Sequence, residues 1–231
     1  MDFLKIVFSI LLYLNVPMAI ASFIFAFILL RRAKGNPIYF NFGMAVLFMA
    51  LWMLVTLLDF FRFTLFTSTF HALLSFAVSI WVLHFFLLFT YNFPAPKLIN
   101  EFKILFFYLA TFVISLSAFL PGLYVTSGSV EFPFRYREIN PLGLSIFTIY
   151  FTILAIIAFF NLFQSYERSD GLHKTQLKKI MAGTAIAIVA NLIVSLINYY
   201  YTSFDLTSVG IFSTFTVLVY IYSILFSKKV V

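Results

Sequence analysis

Residues 142–165, LGLSIFTIYFTILAIIAFFNLFQS, run for 24 positions without a charged side chain. A helix of that length rises about 36 Å, enough to cross a hydrocarbon core about 30 Å thick. Six further stretches are similarly apolar, with charges only near their ends (Lys5, Asp59, Lys103), so the expected spans are 4–30, 37–60, 64–91, 103–120, 142–165, 180–201 and 207–227. The expected fold class is therefore an all-α integral membrane protein, one domain over residues 1–231, built as a bundle of seven transmembrane helices. Composition agrees. The chain is 63% hydrophobic and 10% charged, with mean hydropathy +1.06. Soluble domains carry about 25% charged residues, and a domain of this size cannot bury so much apolar surface away from water.

The charges orient the bundle. With the N-terminus outside and the C-terminus in the cytoplasm, Arg31, Arg32, Lys34, Lys97, Lys103, Arg168, Lys174, Lys178, Lys179, Lys228 and Lys229 fall inside. Lys5, Arg62, Arg135 and Arg137 fall outside, a division of eleven against four. Cytoplasmic loops of membrane proteins carry this excess of positive charge. The net charge of +7 then reads as topology and attraction to membrane lipids with anionic headgroups, not as a nucleic-acid surface. Ala19-Ile20-Ala21 resembles a signal-peptidase site, but cleavage there would leave only Phe23–Leu30 before Arg31, too short to span. The segment is read as a true first span, interrupted by Pro17, which lacks an amide donor and is expected to kink it. The outer connection 121–141 alternates Val130, Phe132 and Phe134 with Glu131, Pro133 and Arg135, the pattern of a hairpin or lid.

Few chemistries survive inspection. All nine Lys lie outside the span interiors, so no lysine is placed to hold retinal as a Schiff base. There is no HExxH helix, no GxSxG elbow, no Cys and no paired buried carboxylate. No catalytic residue, metal site or cofactor is expected. Asp59 approaches a span end, and Arg62 three residues on accounts for it as an interfacial ion pair. His71 and His84 share the third span thirteen residues apart, about 20 Å along the axis, too far to bind one ion together. Intramembrane ionisable residues are nonetheless functional candidates. His71, His84, Asn191 and Asn198 are accordingly the candidates for lining a polar cavity or ligand site.

The sixth span carries Gly183, Ala187, Asn191 and Ser195 at intervals of four, a candidate helix-packing face of small residues and amides. Gly210, Ser213, Thr214 and Thr216 form a looser polar face on the seventh, and Asn161, Gln164 and Ser165 cluster on the fifth. The connection 167–179, ERSDGLHKTQLKK, reads as a turn at Asp170-Gly171 and then a basic amphipathic lead-in to the sixth span.

Several short motifs, in order, resemble the N-terminal seven-helix sensor region of bacterial histidine kinases. They are Asn15, Arg31-Arg32-Ala33-Lys34, Ala50-Leu51-Trp52, Phe85 to Phe89 running into Asn92-Phe93-Pro94, Tyr150-Phe151, Lys174 to Lys179, and Gly183 with Asn191. The resemblance implies a signal-input module of two-component systems in the plasma (inner) membrane, often a homodimer, whose last helices feed a cytoplasmic kinase or other signalling output. The kinase motifs are not in these residues: His173 is followed by Lys174, not Glu, and no ATP-binding segment is present. The chain then reads as the sensor part of a longer kinase or as a relative working through a separate partner. The alternative from another class is a small transporter or flippase subunit, which inverted repeats or paired broken helices would favour; neither is visible. A lipid-modifying enzyme would need a convergent acid–base set, also absent.

Overall fold

The computed structural model describes residues 2–61, 68–95, 100–131, 134–200 and 207–226. Among these residues seven helices form: α1 (Asp2–Ala33), α2 (Pro37–Phe61), α3 (Ser68–Asn92), α4 (Glu101–Ser117), α5 (Pro141–Glu167), α6 (Gly171–Tyr200) and α7 (Thr207–Phe226). Between α4 and α5 stand two antiparallel strands, β1 (Val125–Glu131) and β2 (Phe134–Ile139), paired from Val125↔Ile139 to Glu131↔Phe134. The fold is thus a helical bundle carrying a hairpin rather than helices alone. Among the described residues, five helices are long and apolar enough to cross a membrane; α7 carries a shorter apolar stretch, Val209–Leu225, and α4 has 17 residues. The Asp59–Arg62 pair and the side chains of Val130, Phe132, Phe134, Ser195 and Asn198 lie outside what the structure describes.

Chain order and packing order nearly coincide. Each of α1, α2 and α3 packs on the next, α3 packs on α5, α5 on α6 and α6 on α7. α7 returns to α1 and α2 and closes the ring, with Phe25 and Tyr222 stacked at 5.4 Å between centroids. α3 is the central element. Every residue from Val82 to Thr90 is buried, and Phe42, Phe89 and Phe93 form one aromatic run there.

The outer helices bury small and polar residues and expose large apolar ones, as helices packed in lipid do. On α5, Leu154, Ala158, Asn161 and Ser165 face inward while Ile149, Ile153, Ile156 and Phe160 are exposed. α4 makes the point more sharply. Its buried residues are Thr111 and Ser115, whereas Phe102, Leu105, Phe106, Leu109, Phe112 and Leu116 are exposed. Ser115 Oγ donates to the Ala77 carbonyl of α3 at 2.8 Å, so α4 docks by polar bonds together with the Tyr108 ring, while most of its apolar residues face outward.

The hairpin sits over one end of α3 through Tyr124 and Val125, both buried. The Tyr124 ring packs on Phe76, and Phe76 meets Phe147 of α5 edge-on at 5.1 Å. Asn140 ties the hairpin exit to α5. Its Oδ1 accepts from the Leu142 amide as the helix cap, and its Nδ2 donates to the Gly122 carbonyl at 2.7 Å. At the other end, α6 starts at Gly171, nine residues before the expected span. Gln176, Leu177 and Ile180 are buried there, so packing extends the helix through the basic lead-in.

Candidate functional site

Between α3, α5, α6 and α7 lies a cavity with about 140 Å³ of space open to the centre of a water molecule. α6 contributes Thr184, Ala187, Ile188 and Asn191, and α7 contributes Gly210, Thr214, Leu218 and Ile221, each set recurring at three- and four-residue spacing. That spacing keeps one face of each helix on the cavity. Trp52 of α2, Ser75 and Ser79 of α3, and Phe147 and Phe151 of α5 complete the wall, and Ile139 at the end of β2 borders it. No Asp, Glu, Lys, Arg or His is among the described residues lining it.

Most of its polar groups are already committed. Trp52 Nε1 donates to Ser75 Oγ at 2.7 Å, and Ser79 Oγ donates to the Phe76 carbonyl. Asn191 Nδ2 donates to the Ala187 carbonyl at 2.8 Å within α6 and to Thr214 Oγ1 of α7 at 2.9 Å. Thr214 Oγ1 in turn donates to the Gly210 carbonyl. Gly210 makes the pairing possible: a Cβ there would stand 2.7 Å from Asn191 Oδ1. Thr184 differs. It is 4% exposed, and its Oγ1 has no hydrogen-bond partner among the described residues.

Gly183 does not line the cavity but lies on the α6–α7 contact, where an added Cβ would meet Tyr220 Cδ1 at 3.3 Å and Val217 Cγ1 at 3.4 Å. Both are side-chain atoms that can give. Gly183→Ala is therefore expected to be near neutral, while Gly183→Leu should cost about 1–3 kcal/mol by overpacking. Thermal unfolding of the two variants in mild detergent checks this; equal midpoints would remove Gly183 from the packing face.

His84 belongs to a second polar cluster. It is fully buried on α3, with Nδ1 2.8 Å from Thr111 Oγ1 of α4, and Thr111 Oγ1 lies 2.8 Å from the Tyr150 hydroxyl of α5. Tyr108, Trp81 and Phe85 enclose the imidazole, the nearest ring centroid at 4.5 Å. His84 Nε2 has no partner among the described residues. This one chain of hydrogen bonds joins three helices. His71 is buried elsewhere on α3, edge-on to Phe70, and shares no ligand set with His84. Among the described residues no group of three His, Cys, Asp or Glu is placed to hold a metal ion.

At the far end of α6, His173 Nδ1 and Gln176 Oε1 are 3.3 Å apart. Gln176 Nε2 donates to the Ile224 carbonyl of α7 at 3.1 Å. The α6–α7 pair is thus pinned twice, at Asn191–Thr214 beside the cavity and at Gln176–Ile224. The two positions on α6 are fifteen residues apart, about 22 Å along its axis.

Reading the sequence did not single out Thr184, Ser75, Ser79, Thr111 or Trp52 as site residues. For Thr111 a signal was present: in a helix apolar all round, the Thr111–Ser115 pair at i,i+4 marks the buried face.

The family model for the N-terminal 7TM region of histidine kinase matches residues 13–228. No curated protein matches the chain.

Proposed function

The chain belongs to the family of N-terminal seven-transmembrane regions of histidine kinases, and on that premise we propose that its signal enters at the cavity between α3, α5, α6 and α7. Binding there shifts the α6–α7 pair between two arrangements, and the shift reaches a cytoplasmic output, a histidine kinase domain or partner, through the Gln176–Ile224 end. The observation that carries this reading is the double pinning: the same helix pair lines the cavity and is hydrogen-bonded again at its far end. A ligand moves a two-state bundle only by its differential affinity for the two states, and a cavity wall shared with the output helices supplies that difference.

The eleven-to-four division of basic residues supports a plasma-membrane orientation with N-terminus outside and seven crossings, which places Gln176 and Ile224 at the cytoplasmic side. The exposed face of α4 suits lipid or a second copy of the chain.

The sequence contains no cysteine, so a Gln176→Cys/Ile224→Cys pair can be joined by a thiol-cleavable bismaleimide that locks α6 to α7. With the chain joined to a kinase core in membranes, cross-linking is expected to shift basal autophosphorylation several-fold, and reductive cleavage of the cross-link to restore it. Autophosphorylation indifferent to the lock, together with solute uptake in proteoliposomes, would replace the sensor reading with a transporter.

A further inference from the structure

We infer that the cavity binds a small uncharged molecule, about the size of a substituted benzene ring, with one hydrogen-bonding head that is received by Thr184. The inference rests on the reading of this cavity as the input site and goes further by naming the chemistry of what enters. Three observations lead to it.

The first is charge. No ionisable side chain is among the described residues lining the cavity, so a charged guest would leave its hydration shell with no countercharge to meet. The second is size. About 140 Å³ is comparable to the roughly 150 Å³ apolar cavity in an engineered protein that takes benzene, and the wall here is likewise built from Phe, Leu, Ile and Val. The third is a buried polar atom that the protein leaves unpaired among the described residues. Ser75, Ser79, Asn191 and Thr214 each already spend hydrogen bonds inside the protein, whereas Thr184 Oγ1 is buried with no partner among the described residues and meets a guest by turning about the Cα–Cβ bond of this cavity-lining residue. A buried hydroxyl with nothing to bond to costs free energy, and a guest hydroxyl or carbonyl removes that cost. The His84 cluster is not a rival pocket. Its rings pack against one another, and His84 does not line the cavity.

The wall also supplies the reporter. The chain has two tryptophans, Trp52 and Trp81, and only Trp52 lines the cavity. In a Trp81→Phe background, emission comes from the cavity wall alone. Three brominated probes of one shape quench it by contact: 4-bromophenol, 4-bromotoluene and 4-bromobenzoate. They differ at one substituent, so partition into detergent shows as a linear background beneath any saturable quenching.

The expected result is saturable quenching by 4-bromophenol, about 3–10-fold tighter than by 4-bromotoluene, the range of one net hydrogen bond. For 4-bromobenzoate no saturable phase is expected. Thr184→Val, which keeps the shape and removes the hydroxyl, should bring the bromophenol-to-bromotoluene ratio to about one without weakening bromotoluene. Ala187→Phe, which fills the cavity, should abolish saturation with all three. Should Ala187→Phe fail to fold, Thr184→Val decides alone, because it removes an unpartnered buried group and leaves packing intact.

The inference is overturned by linear quenching with every probe, by 4-bromobenzoate binding as tightly as 4-bromophenol, or by an unchanged ratio in Thr184→Val. Binding and signalling are separate readouts. Saturable binding with no effect on a joined kinase would sink the proposed input role and keep the ligand assignment; a responsive α6–α7 lock with no saturable binding would do the reverse.

Discussion

Gly143→Ala lowers the midpoint of thermal unfolding by about 6–12 °C, the shift that about 3 kcal/mol produces in a chain of this size. Gly143 is in the first turn of α5, where the backbone leaving α4 passes directly against it. An added Cβ would overlap the Leu123 carbonyl oxygen and stand 2.7 Å from its carbon and 2.9 Å from Tyr124 Cα. All three are backbone atoms, so no rotamer change relieves the clash. The backbone is held from both sides, by the buried Tyr124 ring on Phe76 and by the Asn140 bond to the Gly122 carbonyl. Overpacking usually costs about 1–3 kcal/mol, and an immovable neighbour puts this case at the upper end. Gly35→Ala is the comparison. Gly35 has φ +86° in the turn between α1 and α2, but a Cβ there meets nothing within 4 Å, so only about 1 kcal/mol of backbone strain is expected. Equal shifts in the two variants would show that the hairpin entry yields, and that Tyr124 is not clamped.

Thr111→Val is the second large effect. The substitution preserves shape and removes the one oxygen shared by His84 Nδ1 and the Tyr150 hydroxyl. In water-soluble cores an abandoned buried polar group costs about 1–3 kcal/mol. Interhelical hydrogen bonds in membranes average about 0.6 kcal/mol, with a maximum near 1.7, because the unassembled helices find other partners. Two bonds lost together therefore imply about 1–3 kcal/mol. Tyr150→Phe removes the outer bond and the long 3.5 Å one to the Phe107 carbonyl, leaves His84–Thr111 in place, and should cost about half as much. The order of unfolding midpoints, wild type above Tyr150→Phe above Thr111→Val, is the measurement. If Thr111→Val matches wild type, α4 is held by Ser115 and its contact with Ala77 instead.

The histidine-kinase family assignment and the helical membrane architecture were legible before any coordinates, because both rest on features local in sequence. Long uncharged stretches bounded by basic turns define helices wherever they dock, and the ordered motifs from Asn15 to Asn191 lie within the matched region. Asn191 was noticeable as an amide spaced four residues from small neighbours. Thr184 was not, since a lone threonine in an apolar helix is ordinary. Its interest comes from having no hydrogen-bond partner among the described residues after α3, α5, α6 and α7 have packed.

By its sequence alone the chain determined that lipid is its solvent, where its apolar helices run, and which connections carry positive charge. Only the tertiary structure decided that Thr111 stands between His84 and Tyr150, that Asn191 reaches Thr214 across Gly210, and that a cavity remains beside them with no charged residue among its described lining. The physical reason is that helices apolar on every side carry almost no signal of which face turns inward. In a soluble helix, hydrophobic periodicity fixes that rotation. Here close packing of small residues and the pairing of a few polar groups fix it, and both depend on neighbours far away in sequence.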